Sequence, residues 1–217
     1  MPRRPASIPA LDALQRLREG NARFTSTGPD ADVIVRRHDA IAMTREPFAI
    51  VLGCADARVP AEIIFDQGLG DLFMIRVAGN IVAPSQVGSV EFAADRFGTR
   101  LVVVLGHSHC GAVTATIEEL RRPSPNQSRN LLSIVDRVRP AIESLVEAIP
   151  EADHETLMHQ AVRANIRASA SQLRHGSKLL EQLGEEDGLV VVGAEYSLET
   201  GVVDFFDGLP APAGAGG

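Results

Sequence analysis

Apolar residues fall along this chain in two rhythms, and the change from one to the other marks out its elements. Leu11, Leu14, Leu17 and Phe24 recur at helical spacing with Gln15, Arg16, Arg18 and Glu19 between them, which predicts an amphipathic N-terminal helix over 11–24. Such a helix can pack on its own core or embrace a neighbouring subunit, and the pattern serves both. A second short helix is predicted over 35–43, stopping before Pro47 because the residue ahead of a proline disfavours helical backbone. Short unbroken apolar runs then take over at 48–53, 72–75, 101–105 and 189–192, bounded by Gly, Asp and Arg, as expected of strands covered on both faces. Helical segments separate them at 61–65, 86–97, 112–121, 131–148 and 154–182. The alternation predicts an α/β fold, a four-stranded parallel sheet flanked by crossover helices. A last run at 202–206 follows the turn residues Glu199, Thr200 and Gly201 closely enough to form a hairpin with 189–192, adding an antiparallel edge strand. With no internal repeat or linker, the chain reads as one domain over 1–217, with an N-terminal helical arm of about 9–44 and a Pro/Ala/Gly tail over 210–217.

Composition narrows the function classes. The 217 residues carry 28 acidic and 21 basic side chains, a formal charge of −7, and are 45% hydrophobic. A chain of this length buries a core without disulfides, which frees its cysteines for chemistry. The acidic balance argues against nucleic-acid and anionic-membrane partners, which require a basic footprint. No apolar run approaches the ~20 residues of a membrane span, and charges interrupt the N-terminal stretch where a secretory signal would be continuously apolar. The expected location is the cytoplasm, where two cysteines serve as thiols or metal ligands.

Both cysteines follow predicted strands, Cys54 directly after 48–53 and Cys110 just after 101–106, at the sheet edge where α/β proteins assemble sites. His107 precedes Cys110 in His107-x-x-Cys110, and Cys54 opens Cys54-x-Asp56-x-Arg58. Two thiolates and an imidazole suit a tetrahedral zinc ion with its fourth position open. The same residues are also compatible with two buried apolar thiols beside a core histidine, or with a redox pair. Asp56 and Arg58 read either as a structural ion pair or as a switch, in which Asp56 takes the fourth metal position when released and leaves it open when held by the Arg58 guanidinium. His109 neighbours the site; His38, His154, His159 and His175 fall among charged residues on predicted helices, as solvated surface.

The two motifs, together with Phe65-Asp-Gln-Gly-Leu-Gly-Asp-Leu-Phe73, Arg76-Val-Ala-Gly-Asn80 and the N-terminal Leu-x-x-Gly20-Asn-x-Arg-Phe24, resemble the β-class carbonic anhydrases over nearly the whole chain. The resemblance implies a Zn²⁺ enzyme that reversibly hydrates carbon dioxide to bicarbonate and a proton through zinc-bound hydroxide, assembled as a homodimer or homotetramer. Carried over residue by residue, Cys54, His107 and Cys110 bind the metal, Asp56 is a fourth ligand in a closed form, and Asp56 and Arg58 form the gating dyad. Phe73, Ala78 and Phe92 match the residues that shape the substrate pocket, with Gly111 beside Cys110 and Phe92 reaching across from a neighbouring subunit. Two thiolates make zinc a weaker Lewis acid than three histidines would, so activity is expected to favour alkaline pH. The chain departs from the family pattern at Arg45, where many relatives carry glutamine, and at Phe92, where tyrosine is frequent; with no tryptophan, it lacks the tryptophan-built regulatory bicarbonate site of some members. Other readings of the same scaffold are a carbonyl sulfide or carbon disulfide hydrolase and a non-catalytic zinc or redox module.

Overall fold

The computed structural model describes residues 8–28, 47–125, 128–149 and 153–210. The expected helix over 35–43, most of the N-terminal arm beyond Gly28, His38 and Arg45 lie outside the described residues, as does the tail after 210. In chain order the elements are α1 (Ala10–Thr27), β1 (Ala49–Gly53), α2 (Ala61–Ile64), β2 (Leu72–Arg76), α3 (Pro84–Phe97), β3 (Leu101–His107), α4 (Gly111–Arg121), α5 (Arg129–Ala148), α6 (His154–His175), α7 (Lys178–Asp187), β4 (Val190–Tyr196) and β5 (Val203–Asp207). The five strands form one sheet in the order β2-β1-β3-β4-β5. The first four are parallel and β5 runs antiparallel along the edge of β4, the expected fold.

Because side chains alternate across a sheet, the unbroken apolar runs supply two cores at once. Ile50, Leu52, Val102 and Val104 point to one face, where they meet Val90 and Ala93 of α3, Val113 and Ile117 of α4, Val138 and Ile142 of α5, and Leu157, Ile166 and Leu173 of α6. Ala49, Val51, Leu101, Val103 and Leu105 point to the other, against Ala13, Leu14 and Leu17 of α1 and Ile64 and Phe65 at α2. The described part of the N-terminal helix therefore packs on its own domain. Asn21 locks it there: its amide donates to Ile64 O and Gly201 O, and its Oδ1 accepts from Val203 N at 2.8 Å.

Two expectations need correction. The segment predicted as one helix over 154–182 is two, α6 and α7, separated at Gly176 and Ser177. Ser177 Oγ accepts from Leu180 N as a helix N-cap and donates to Glu91 Oε1 at 2.6 Å, so the break is built by a cap and a tertiary contact. Leu173, Leu180 and Leu183 are all buried and keep helical spacing across the break, which hides it from periodicity. Strand β4 also runs to Tyr196 rather than 192, and β5 pairs with this extension, Gly193 to Tyr196. The buried Glu195 ends the apolar run without ending the strand, because Arg163 Nη1 lies 3.2 Å from its carboxylate.

At α1 helix propensity and packing make opposite demands. A methyl on Gly20 would lie 1.8 Å from Phe65 O, so α1 and the turn after α2 approach as closely as they do only without it. Propensity alone gives Gly20→Ala a gain of about 1 kcal/mol. We predict instead a loss of about 1–3 kcal/mol from overpacking, read as a lowered denaturant midpoint with unchanged slope; a raised midpoint would show that the two elements separate at little cost.

Candidate metal centre

Strand register brings the chemistry together. Gly53 is level with Leu105 on β3 and Arg76 on β2, so Cys54 leaves β1 close to the point where His107 ends β3. The chain then turns through Ser108 and His109 into α4, with Cys110 as its N-cap residue. The result is a group of three ligand atoms, from Cys54, His107 and Cys110, all within 4.8 Å of one another. All three residues are buried, His107 completely.

The hydrogen bonds around these atoms fit a metal ion. His107 Nδ1 lies 2.9 Å from Ser108 O, and a carbonyl only accepts, so the proton sits on Nδ1 and Nε2 faces the sulfurs. Nε2 is buried without a hydrogen-bond partner, a cost that a coordinated cation would remove. Both cysteines are free thiols. The Cys110 thiol donates to Cys54 and lowers its pKa against the opposing effect of burial, with His107 helping, while the same bond and burial raise Cys110. Burial disfavours a charged His107 ring, but the Cys54 thiolate outweighs it and raises the ring's pKa. Protons thus balance the charge of a pocket whose soft S,N,S donors suit a divalent transition metal, which would displace them.

Backbone and neighbouring side chains hold the donors. Gly79 N donates to Cys54 Sγ at 3.4 Å, and Asn165 Nδ2, buried on α6, fixes the same residue by donating to Gly79 O at 2.8 Å. Gly79 sits at φ 70°, and a Cβ there would come 2.8 Å from that of Ala112. Arg76 spans the loop after β1, donating from Nε to Cys54 O at 3.1 Å and from Nη2 to Asp56 O. Asp56 is itself gripped by Arg58, whose Nε reaches Oδ1 at 3.0 Å, whose Nη2 reaches Oδ2 at 2.7 Å, and whose backbone N–H donates to Oδ1. These bonds, the guanidinium's first, hold the Asp56 carboxyl well below the usual carboxylate range. Its Oδ2 is 3.9 Å from His107 Nε2, beside the donor cluster.

The structure therefore gathers Cys54, His107, Cys110, Asp56 and Arg58 at one edge of the sheet. Of the expected pocket residues, Ala78 precedes the glycine that touches Cys54, and Gly111 is exposed at the start of α4 beside Cys110. Phe73 and Phe92 lie together with Phe97, ring centroids 5.8–6.2 Å apart, and Phe92 is 55% exposed. His154, His159 and His175 are exposed, as expected. Sequence reasoning missed Asn165, whose buried amide sits on a helix far along the chain, and gave Arg76 and Gly79 no role although both stand in the Arg76–Asn80 motif.

A largely parallel sheet covered by helices on both faces, with a buried sulfur-and-imidazole cluster able to hold a metal ion and an aspartate–arginine pair at the carboxyl edge of its strands, defines an α/β protein with a candidate metal centre. The chain belongs to the carbonic anhydrase family, whose profile matches residues 49–203, and within it to the β class. It is 35% identical to a carbonic anhydrase of Mycolicibacterium smegmatis over 202 residues, covering 92% of this chain and 94% of that protein. It is 33% identical to carbonic anhydrase 2 of Mycobacterium tuberculosis over 190 residues, covering 87% and 89%. The fold matches the crystal structure of the β-carbonic anhydrase CafA of Aspergillus fumigatus with TM-score 0.71 at 21% identity, covering 93% and 92% of the two chains. It also matches the tetrameric β-carbonic anhydrases of Sordaria macrospora, with TM-score 0.68 at 20% identity and coverage of 91% and 94%.

Asn165 gives this site a direct test. Asn165→Leu keeps the branched shape of the side chain but strips the buried Gly79 carbonyl of its donor. We predict a loss of about 1–3 kcal/mol in denaturant unfolding, together with faster loss of bound metal to a chelator. Unchanged chelation kinetics would show that Gly79 holds its place beside Cys54 unaided.

Proposed function

We propose that the chain catalyses the reversible hydration of carbon dioxide to bicarbonate and a proton, at a zinc ion held by Cys54, His107 and Cys110 and gated by Asp56 and Arg58. The observation that carries this reading is the buried cluster of two thiols and one unpartnered imidazole nitrogen, with the Asp56–Arg58 pair beside it. Two thiolates and a neutral imidazole suit zinc in a catalytic site, where three protein ligands leave one position open. Bound there, the metal supplies a Lewis acid that makes water a nucleophile near neutral pH.

The chain's own residues do the rest. As thiolates, Cys54 and Cys110 cancel the charge of a dication, so a buried centre carries no net charge before an anion enters. His107 offers Nε2, its ring oriented by the bond from Nδ1–H to Ser108 O. Arg58 grips both oxygens of Asp56 and keeps the carboxylate off the fourth position. Held anionic, Asp56 accepts and cannot donate, so Oδ2 favours an incoming group that presents a proton. Freed from Arg58, the same carboxylate is close enough to the donor set to close it. Phe73, Ala78, Phe92 and Gly111 form the weakly polar side that receives carbon dioxide. Phe92, exposed in a single copy, reaches across to the pocket of a neighbouring subunit, and the tetrameric Sordaria relatives support a homodimer or homotetramer. Ligand cysteines that must stay reduced suit the cytoplasm.

Stopped-flow carbon dioxide hydration by the zinc-loaded protein tests the proposal. The expected results are a rate that rises towards alkaline pH, a Cys110→Ala protein without metal and with the rate of the metal-free chain, and an Asp56→Ala protein that keeps its zinc. Full zinc and normal turnover in Cys110→Ala would overturn the ligand assignment. A zinc-loaded wild type without activity at any pH would overturn the substrate and bring carbonyl sulfide forward.

A further inference from the structure

The turn between two of the proposed ligands holds a residue in an unfavourable conformation. His109 lies at φ 54°, in the left-handed region that residues bearing a Cβ seldom occupy. One distant carboxylate holds it there. Glu199, in the turn between β4 and β5, places Oε1 2.7 Å from His109 Nε2, and its Oε2 accepts from Ser108 Oγ and from Ser197 Oγ, each at 2.9 Å. The direction of the Ser108 bond is fixed, because Ser108 Oγ also accepts from Leu198 N at 3.0 Å and so gives its own proton to Glu199. The Ser108 backbone donates to Tyr196 O, and its carbonyl receives Nδ1–H of His107. Both residues between His107 and Cys110 are thus tied to Glu199, and one of them orients the His107 ring.

We propose that Glu199 is a positioning residue for the metal centre: its carboxylate clamps the Ser108–His109 turn and, through it, sets the placement of His107 and Cys110 around the metal. This rests on the metal-centre reading above and goes beyond it. Glu199 does not act from the Asp56 side. It lines a separate surface cleft of about 630 Å³, walled also by Met158, His159 and Arg163 of α6, to which Cys54, Asp56, Arg58, His107 and Cys110 contribute nothing. Although its side chain is 53% exposed, its own backbone N–H and the Ser197 and Ser108 hydroxyls hold its pKa down to about 2, so the clamp stays anionic.

The test uses the full chain and reads the metal apart from turnover. Zinc affinity is measured by competition with a chromophoric chelator, and the cobalt(II)-substituted protein reports ligand geometry through its visible absorption bands. Glu199→Ala is expected to weaken zinc binding by about 10–100-fold, the usual cost of removing a group that supports a ligand, and to shift the cobalt bands. Glu199→Gln, which keeps the shape and one acceptor oxygen, is expected to fall between Glu199→Ala and wild type. Glycine adopts positive φ without strain, so His109→Gly is expected to recover part of the loss when added to Glu199→Ala. A Glu199→Ala protein indistinguishable from wild type in zinc affinity and cobalt spectrum would overturn the inference. So would a variant that melts earlier in its metal-free form while its folded fraction binds zinc normally, since the role would then be structural. A wild type that binds no zinc, or a Cys110→Ala protein that binds it as well as wild type, would instead remove the metal-centre reading.

Discussion

Two sulfurs and an imidazole buried within 4.8 Å of one another set the terms for the rest of this molecule. A pocket that excludes water cannot hold two thiolates without compensating positive charge, because the lost hydration of each anion is not returned by the apolar surroundings. The hydrogen bond between the two sulfurs supplies part of that compensation, lowering the pKa of Cys54 and raising that of Cys110. A dication supplies it better. The surrounding bonds then serve to keep three donors from two strands and a helix start at fixed separations, with Gly79 donating to sulfur, Arg76 bracing the loop after β1 and Glu199 bracing the turn after β3.

The fold makes such a centre possible because its strands are parallel and fully covered. Parallel neighbours bring the carboxyl ends of β1 and β3 out at the same edge, and buried faces make the space beneath that edge dry. Cys54 and Cys110 belong to the core cluster on the face covered by α3 to α7, so the donor set is an extension of that core rather than a surface feature. Helix α6 serves both functions: Ile166 packs in the core, while Asn165, one residue before it, reaches Gly79 beside Cys54. Asp56 and Arg58 lie outside the dry core, Asp56 partly exposed and Arg58 largely so.

Much of this was legible in the chain. Strands buried on both faces announce themselves by unbroken apolar runs, and β1 and β3 are buried at every position. The donor cluster was legible because a chain with only two cysteines carries both just beyond such runs, one of them three residues from a histidine. The break between α6 and α7 was not, because Leu173, Leu180 and Leu183 keep their helical spacing across it while the cause, Ser177 meeting Glu91, lies between residues distant in sequence. The end of β4 was missed for a similar reason, since Glu195 reads as a stop until Arg163 is seen beside it.

The sequence by itself determined the α/β class, the edge on which the site forms and the identity of the soft donors, because strand burial and ligand chemistry are properties of residue type and short-range spacing. Only the tertiary structure decided which side chains hold those donors in place. Asn165 on Gly79, Arg76 on the Cys54 carbonyl and Glu199 on Ser108 and His109 join residues far apart in the chain through single hydrogen bonds. The placement of α1 was likewise a tertiary matter, since it rests on its own sheet through Asn21, an outcome its amphipathic pattern left open. A hydrogen bond depends on direction and a few tenths of an ångström, and no pattern of residue types along a chain carries that information.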